Sequence, residues 1–132
     1  IVPENLVEAV GEGISKRLAT TTIGNPENKD VRMGSLAGEA QRQEVRAKVN
    51  ELSRTQKILF GNLDEFNVIG ADAKVGAFMP PILFFNDKPF EKTDCHNIEA
   101  FGPVSTLMPY KTTEEAITLS RMGLGSLVCS IA

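Results

Sequence analysis

The sequence predicts an α/β protein in which helices pack on a short, mostly parallel sheet. Two segments carry an apolar residue at every third or fourth position, which is typical of amphipathic helices. Short apolar runs bounded by turn-forming residues predict buried strands between them. Because the predicted helices and strands alternate along the chain, the α/β class is favoured. The 132 residues fit one domain, and we expect residues 1–132 to form a single unit.

The first helix is predicted over about residues 3–20. Pro3 suits the first helical position, because its missing N–H has no partner to lose there. The helix carries an apolar residue at every fourth position, namely Leu6, Val10, Ile14 and Leu18. Gly11 weakens a helix by about 1 kcal/mol relative to alanine, but it permits close packing against a neighbouring element.

The rest of the chain alternates between loops, helices and strands. Residues 20–34 contain many turn formers and predict a long loop, and a helix is expected over about 39–54, with Val45, Val49 and Leu52 on its buried face. Strands are predicted at 57–60, 82–85, 104–110 and 126–131, with irregular segments at 62–76 and 87–97. Thr112 is expected to cap a last helix that ends near Gly123, with Glu115 placed for a capping box.

Composition excludes several classes of function. Fourteen Lys and Arg against seventeen Asp and Glu give a net charge of −3, which argues against a nucleic-acid partner. No apolar run approaches the ~20 residues that span a membrane, so no membrane partner is expected. Two cysteines cannot form a disulfide framework, which indicates a reduced, cytoplasmic protein.

The cysteines and the single histidine offer little catalytic chemistry. Cys95 and His96 are adjacent, and in an extended segment their side chains point to opposite faces, so a surface loop pair is favoured over a nucleophile with its base. Cys129 lies in an apolar run and is expected to be a small buried residue. One histidine and two separated cysteines predict no metal site.

Other motifs have simpler structural explanations. The segment Gly123-Leu-Gly125 lacks the third glycine of a dinucleotide fingerprint and fits a helix end better. Phe84, Phe85 and Phe101 are expected in the core rather than on a stacking platform.

The segment Glu99-Ala-Phe-Gly-Pro103 is harder to explain by packing alone. Its glycine permits close approach of backbone or ligand, and its proline constrains the turn. The Glu99 carboxylate could accept hydrogen bonds from a sugar diol. Both a structural turn and a ligand-binding segment fit this pattern.

Five motifs follow one another along the chain. They are Ile1-Val-Pro3, Gly24-Asn-Pro26 with Met33-Gly-Ser-Leu36, Phe78-Met-Pro-Pro81 with Ile82-Leu83, Glu99-Ala-Phe-Gly-Pro-Val104, and Glu114-Glu-Ala-Ile117 with Gly123-Leu124. In this order they resemble the aldehyde dehydrogenase family. Ser35 stands where many members have proline. Ala100, the run Val104-Ser-Thr-Leu-Met-Pro109 and Gly125-Ser-Leu127 are most similar to the members that oxidise coenzyme A-linked semialdehydes in bacterial phenylacetic acid degradation.

This resemblance implies roles for two residues. Glu99 would bind the hydroxyls of the nicotinamide ribose of NADP or NAD, and Phe101 would pack beside that ribose and the nicotinamide. No catalytic residue would lie in the chain, because the nucleophilic cysteine would precede Ile1. The general base and the Rossmann domain would lie further upstream, and neither Cys95 nor Cys129 falls at the nucleophile's position.

We therefore expect the chain to be a fragment of an aldehyde dehydrogenase catalytic domain, inactive by itself and binding no cofactor tightly. Its partners would be the remainder of that chain and further copies in a homo-oligomer. The alternative is a stand-alone α/β module for binding or dimerisation, in which the helix over 3–20 exposes its apolar face. A third hypothesis is an unrelated enzyme that uses Cys95 and His96.

Overall fold

A computed structural model describes residues 1–124 and 128–131 of the chain. A 3-10 turn at Glu4–Leu6 precedes the helices, which are α1 (Val7–Ala19), α2 (Glu39–Leu52), α3 (Asp94–Asn97) and α4 (Thr113–Met122). The strands are β1 (Val2–Pro3), β2 (Ile23–Gly24), β3 (Lys57–Phe60), β4 (Val68–Ile69), β5 (Ile82–Phe85), β6 (Val104–Leu107) and β7 (Pro109–Tyr110). The predicted α/β class is confirmed.

The main sheet has β5 at its centre. β3 pairs with β5 antiparallel and β6 pairs with it parallel, while β1 with β7 and β2 with β4 form two short parallel pairs. The strand predicted over 104–110 forms in two parts with different partners: Asn86 N donates to Leu107 O, and Val2 N donates to Met108 O. Within the described residues most strand pairs are parallel, as predicted.

The two faces of the sheet are covered by different helices. Successive side chains of a strand point to opposite faces, so β5 contributes to two cores. Ile82 and Phe84 pack in a cluster with Val45, Val49, Leu52 and Met79, which places α2 on one face. Leu83 lies in a second cluster with Val2 and Leu107. The continuous apolar run of β5 is therefore explained by burial on both sides.

The apolar face of α1 is covered by the other face of the sheet. Its stripe residues are half-buried and pack around the second cluster together with Leu59 and Phe85; they are Val7, Val10, Ile14 and Leu18. Gly11 is buried at this contact, and the packing is close: a Cβ there would lie 3.3 Å from Leu59 Cδ1. Leu6, in the preceding 3-10 turn, stays 46% exposed. The prediction that this helix exposes its apolar face, made for a stand-alone module, is therefore wrong.

The predicted cap of the last helix forms, whereas the segments predicted as irregular and the last predicted strand differ in the structure. Thr112 Oγ1 accepts from Glu115 N at 3.2 Å, and Glu115 Oε2 accepts from Lys111 N at 2.6 Å, which confirms the cap of α4. The segments predicted as irregular contain β4 and the one-turn helix α3. Part of the strand predicted over 126–131 lies outside the described residues, and residues 128–131 contain no strand.

None of the helices in the described ranges is both long and apolar enough to cross a membrane.

Candidate functional site

The segment Glu99–Pro103 connects α3 to β6 and is held at both ends. At its start, Ile98 N donates to Asp94 O of α3 at 2.8 Å. At its end, Pro103 O accepts from Ile82 N at 2.8 Å, where the pairing of β5 with β6 begins. The segment thus lies at the amino-terminal edge of two neighbouring parallel strands, in a position set by the sheet.

Alternate residues of the segment face the core and the solvent. Ile98 has an extended backbone, with φ −106° and ψ 109°, and it packs with Ala100 against the cluster beneath α2. Glu99 and Phe101, the two residues predicted to bind cofactor, are exposed, Phe101 to 59%. Ile98 and Ala100 thus anchor the segment in the core, while Glu99 and Phe101 lie on its solvent side.

Two tight turns and a glycine allow the segment to pack closely against α2. Gly102 N donates to Ala100 O and Val104 N donates to Gly102 O, each at 2.7 Å, which closes two successive three-residue turns. A Cβ on Gly102 would lie 2.8 Å from Cγ1 of Val45, a residue only 1% exposed. The glycine of the motif therefore permits the close approach that the sequence predicted.

Gln41 of α2 holds the segment from the side and was missed by the sequence analysis. Its Nε2 donates to Phe101 O at 2.6 Å, and its Oε1 accepts from Ala37 N at 3.0 Å. A signal was present, because Gln41 lies four residues before Val45 and thus continues the buried stripe of the helix. Gln41 is half-buried there, and its amide bonds to the backbone of two loops, at Ala37 and at Phe101.

The three phenylalanines predicted for the core have different environments. Phe84 is completely buried, as predicted, and Phe85 is half-buried on the α1 side of the sheet. Phe101 is largely exposed, so the core prediction is wrong for this residue. The reason is the alternation along the segment, because Ala100 and not Phe101 occupies the inward position.

Cys95 and His96 lie on α3, half-buried, and not in the surface loop predicted for them. Asn86 Nδ2 donates to Cys95 Sγ at 3.1 Å and to Lys92 O at 2.8 Å, while His96 Nε2 lies 3.1 Å from Pro89 O. The completely buried Asn86 thus holds this loop together, an arrangement that no local pattern in the sequence predicts. Burial raises the pKa of the Cys95 thiol, which disfavours the thiolate that a nucleophile needs.

Cys129 is exposed, so its predicted burial is wrong. The prediction depended on a final strand, and residues 128–131 have none. The described residues, 1–124 with 128–131, contain no group of three or more His, Cys, Asp or Glu side chains that could hold a metal ion.

The two thiols should differ in reactivity. We expect iodoacetamide at about pH 8 to alkylate Cys129 roughly tenfold faster than Cys95, because Cys95 is less accessible and its pKa is raised. Peptide mass spectrometry over a time course measures both rates, and Cys129→Ser serves as the control for assignment. Equal rates, or faster labelling of Cys95, would contradict the structural role given to Cys95.

Comparison with known sequences identifies relatives of the whole chain. The profile of the aldehyde dehydrogenase family matches residues 1–131. The 3,4-dehydroadipyl-CoA semialdehyde dehydrogenase of Aromatoleum evansii is 35% identical over 131 residues, which cover 99% of this chain and 25% of that protein. Protein MaoC of Klebsiella aerogenes is 43% identical over 96 residues, covering 72% of this chain and 27% of that protein. The chain spans about a quarter of the length of these curated relatives.

Solved structures show the same fold. An aldehyde dehydrogenase from Pseudomonas syringae, in complex with NAD+ and octanal, superposes with a TM-score of 0.74 over 92% of this chain and 24% of that chain, at 26% identity. An aldehyde dehydrogenase from Bacillus cereus gives a TM-score of 0.75 over 90% of this chain and 23% of that chain, at 22% identity. The resemblance predicted from the motifs is confirmed, and the chain belongs to the aldehyde dehydrogenase family.

Proposed function

We propose that residues 1–132 form the part of an NAD(P)-dependent aldehyde dehydrogenase that holds the nicotinamide half of the cofactor through Glu99 and Phe101. One observation carries this proposal. The two side chains project to solvent from a segment whose other residues are anchored in the core and to α2. A structural turn would have no need to present a carboxylate and an aromatic ring together in this way.

The chemistry of these two side chains fits a nucleotide ribose. An ionised carboxylate accepts hydrogen bonds at both oxygens, which matches the two neighbouring hydroxyls of a ribose. Glu99 forms no ion pair within the described parts of the chain, so its oxygens are available to a ligand. The exposed ring of Phe101 offers an apolar surface beside that carboxylate.

These residues would act by orientation. The nicotinamide, when bound, supplies the acceptor for the hydride that the aldehyde loses. The transfer depends on the placement of the ring, and a displacement of about 1 Å can cost about a hundredfold in rate. Glu99 and Phe101 would set this placement from the ribose side, on a segment fixed by Gly102 and Gln41.

For the substrate, we propose a coenzyme A-linked semialdehyde from the degradation of phenylacetate or a related aromatic compound, oxidised to the acid. The support is the likeness to the Aromatoleum enzyme, whose name specifies a CoA semialdehyde. The cofactor would be NADP or NAD, and the intact enzyme would be a cytoplasmic homo-oligomer. Residues 1–132 alone would have no dehydrogenase activity, because Cys95 is a structural residue and Cys129 lies outside the nucleophile's position.

The test is Glu99→Gln in a full-length enzyme that contains this chain. We expect kcat/KM for the nicotinamide cofactor to fall about 10- to 100-fold, since a hydrogen bond to a charged group contributes about 1.5–3 kcal/mol. The KM for the aldehyde should remain within about twofold, because the carboxylate does not contact it. Steady-state kinetics with NAD and NADP in turn also identifies the preferred cofactor.

The matched control is Glu44→Gln, which removes the same charge from an exposed position of α2. It should leave both kinetic parameters unchanged. Equal cofactor parameters for Glu99→Gln and the unmodified enzyme would contradict the proposed role of Glu99.

A further inference from the structure

We propose that a recess at the end of α1 binds the adenosine 3′,5′-bisphosphate end of coenzyme A. The inference rests on the proposed function, because it takes up the CoA-linked semialdehyde named there, and it assigns the nucleotide end of that substrate to residues outside the segment Glu99–Pro103. Two adjoining features carry it. One is a pair of arginines without ionic partners, and the other is an aromatic-lined cavity beside them.

The first feature is an open recess of about 390 Å³ lined by Arg17, Thr20, Thr21 and Arg32. Neither guanidinium forms an ion pair within the described residues, although the chain has more carboxylates than cations. The helix dipole favours a cation in the last turn of α1, which accounts for Arg17 but not for Arg32. Two unpaired guanidinium groups in one recess repel each other, so the recess favours a bound anion.

The backbone around this recess is fixed by hydrogen bonds. Arg32 N donates to Thr22 O at 3.0 Å and to Thr22 Oγ1 at 3.1 Å, which ties the loop to the chain that follows α1. On the other side, Thr20 Oγ1 donates to Arg17 O at 2.8 Å. The hydroxyl of Thr21 has no partner in the part of the chain that the structure describes. It is therefore available as a third donor to an anion.

The second feature is a cavity of about 340 Å³ that adjoins the recess at Thr21, which lines both. Its lining is largely apolar and includes Phe60, Phe66, Pro80 and Pro81. The two prolines are buried, whereas Phe66 is only half-buried. The flat faces of a purine stack on aromatic rings, and this stacking tolerates different bases. The lining therefore suits the base of a nucleotide whose phosphates lie in the recess.

Three polar side chains at the cavity suit the edge of an adenine, namely Asn62, Glu65 and Asn67. An amide offers both a donor and an acceptor to the ring nitrogens and the amino group, and a carboxylate accepts from the amino group. The negative charge of Glu65 also disfavours a phosphate in the cavity itself. The ligand is thus oriented with its base towards Glu65 and its phosphates towards Arg17 and Arg32.

The position of the recess along the chain favours coenzyme A. The 13 residues of α1 give a helix of about 20 Å, and the recess lies at its carboxyl-terminal end. The family resemblance places the nucleophile before Ile1, ahead of the other end of α1. A nucleotide in the recess is therefore about one helix length from the reacting aldehyde. The extended pantetheine arm of coenzyme A is the part of the substrate that bridges such a separation.

The experiment measures binding of adenosine 3′,5′-bisphosphate to the full-length enzyme by titration calorimetry. Excess NAD+ and NADP+ keep the cofactor's own site filled. Arg17→Gln and Arg32→Gln each remove one charged donor from an exposed position, so both variants should fold. We expect each to raise the dissociation constant about tenfold, because each removes a charge-assisted contact to phosphate. No binding by the unmodified enzyme, or unchanged binding by both variants, would overturn the inference.

The matched control is Lys16→Gln, which removes the same charge one residue away. Lys16 is exposed, lies 3.8 Å from Glu12 in an ion pair and does not line the recess. Its dissociation constant for adenosine 3′,5′-bisphosphate should stay within about twofold of that of the unmodified enzyme. A loss equal to that of Arg17→Gln would mean general attraction of the anion to a basic surface, and the site would be rejected.

Phe66→Ala tests the cavity separately from the recess. It should weaken binding of adenosine 3′,5′-bisphosphate by about tenfold through lost stacking, and leave binding of inorganic pyrophosphate unchanged. Phe90→Ala is the control, since Phe90 is 43% exposed and lies outside the cavity. If Phe66→Ala binds the nucleotide normally, the recess takes an anion only and the nucleotide assignment is wrong.

Steady-state kinetics separates coenzyme A from a free nucleotide effector, which would offer the same chemistry. Arg32→Gln should raise the KM for the CoA-linked semialdehyde about tenfold. The KM for the same semialdehyde without coenzyme A should not change, because that molecule has no group that reaches the recess. Equal changes for both substrates would assign the recess to an effector and overturn the coenzyme A assignment.

Failure of this inference is distinguishable from failure of the proposed function. If Glu99→Gln lowers kcat/KM for the cofactor and both arginine variants bind the nucleotide normally, the cofactor role stands and the recess assignment is wrong. If the arginine variants lose nucleotide binding but the enzyme does not oxidise the CoA-linked semialdehyde, the proposed substrate is wrong, and with it the coenzyme A assignment. Loss of nucleotide binding together with the selective rise in KM supports the inference.

Discussion

Gly24→Ala is expected to lower the free energy of unfolding by about 2–3 kcal/mol. Gly24 pairs with Ile69 between β2 and β4, and its N–H donates to Met33 O. A Cβ on Gly24 would lie 2.0 Å from Ile69 O and 2.7 Å from Ile69 N. Because these atoms belong to backbone, no side-chain rotation relieves the clash, and the β2–β4 pair must separate.

Gly34→Ala is the matched control from the same loop, since a Cβ there would meet no atom within 4 Å. It should change the free energy of unfolding by less than about 0.5 kcal/mol. Urea unfolding of the 132-residue chain, followed by far-ultraviolet circular dichroism, measures both variants. Equal midpoints for the two would show that the β2–β4 pair contributes little to stability.

The elements that the sequence predicted well are those with a strong local pattern. The buried stripe of α2 and the apolar run of β5 were placed within about two residues, because each is defined by neighbours in sequence. The cap at Thr112 was found for the same reason, since capping depends on residues three apart.

The elements that were missed depend on partners that are distant in sequence. β2 and β4 have two residues each, and their pairing joins positions about 45 residues apart, for which no local signal exists. The one-turn helix α3 is stabilised by the buried amide of Asn86 and by Thr55 Oγ1, which donates to Asp94 Oδ2 at 2.7 Å. A pattern of polar residues predicts a loop there, and only tertiary contacts make it helical.

The candidate site was identified by its motif and not by its geometry. Glu99 and Phe101 entered through resemblance to a family, while their exposure follows from which of the neighbouring residues, Ile98 or Glu99, faces the core. That choice depends on packing against α2. The role of Gln41 was accessible in principle, because a glutamine on an apolar helical stripe signals a specific hydrogen bond.

Phe84→Ala and Phe101→Ala should differ in their effect on stability, because Phe84 lies in the core and Phe101 in the candidate site. Phe84 is completely buried among Val45, Val49 and Ile82, so its loss should lower the free energy of unfolding by about 3–5 kcal/mol. Phe101 is 59% exposed, and its loss should change the free energy of unfolding by less than about 0.5 kcal/mol. Urea unfolding of the two variants measures this contrast.

The contrast should reverse for cofactor binding. In the full-length enzyme, Phe101→Ala removes the apolar surface beside Glu99, and we expect the cofactor dissociation constant to rise by about tenfold while the unfolding midpoint stays unchanged. Phe101→Leu keeps part of that surface, so its cofactor dissociation constant should lie between those of the unmodified enzyme and Phe101→Ala. A loss of stability in Phe101→Ala comparable to that in Phe84→Ala would mean that the ring packs on protein and not on ligand. Since Phe101 is exposed in this chain, such a result would place another part of the enzyme, and not the nicotinamide ribose, against the ring.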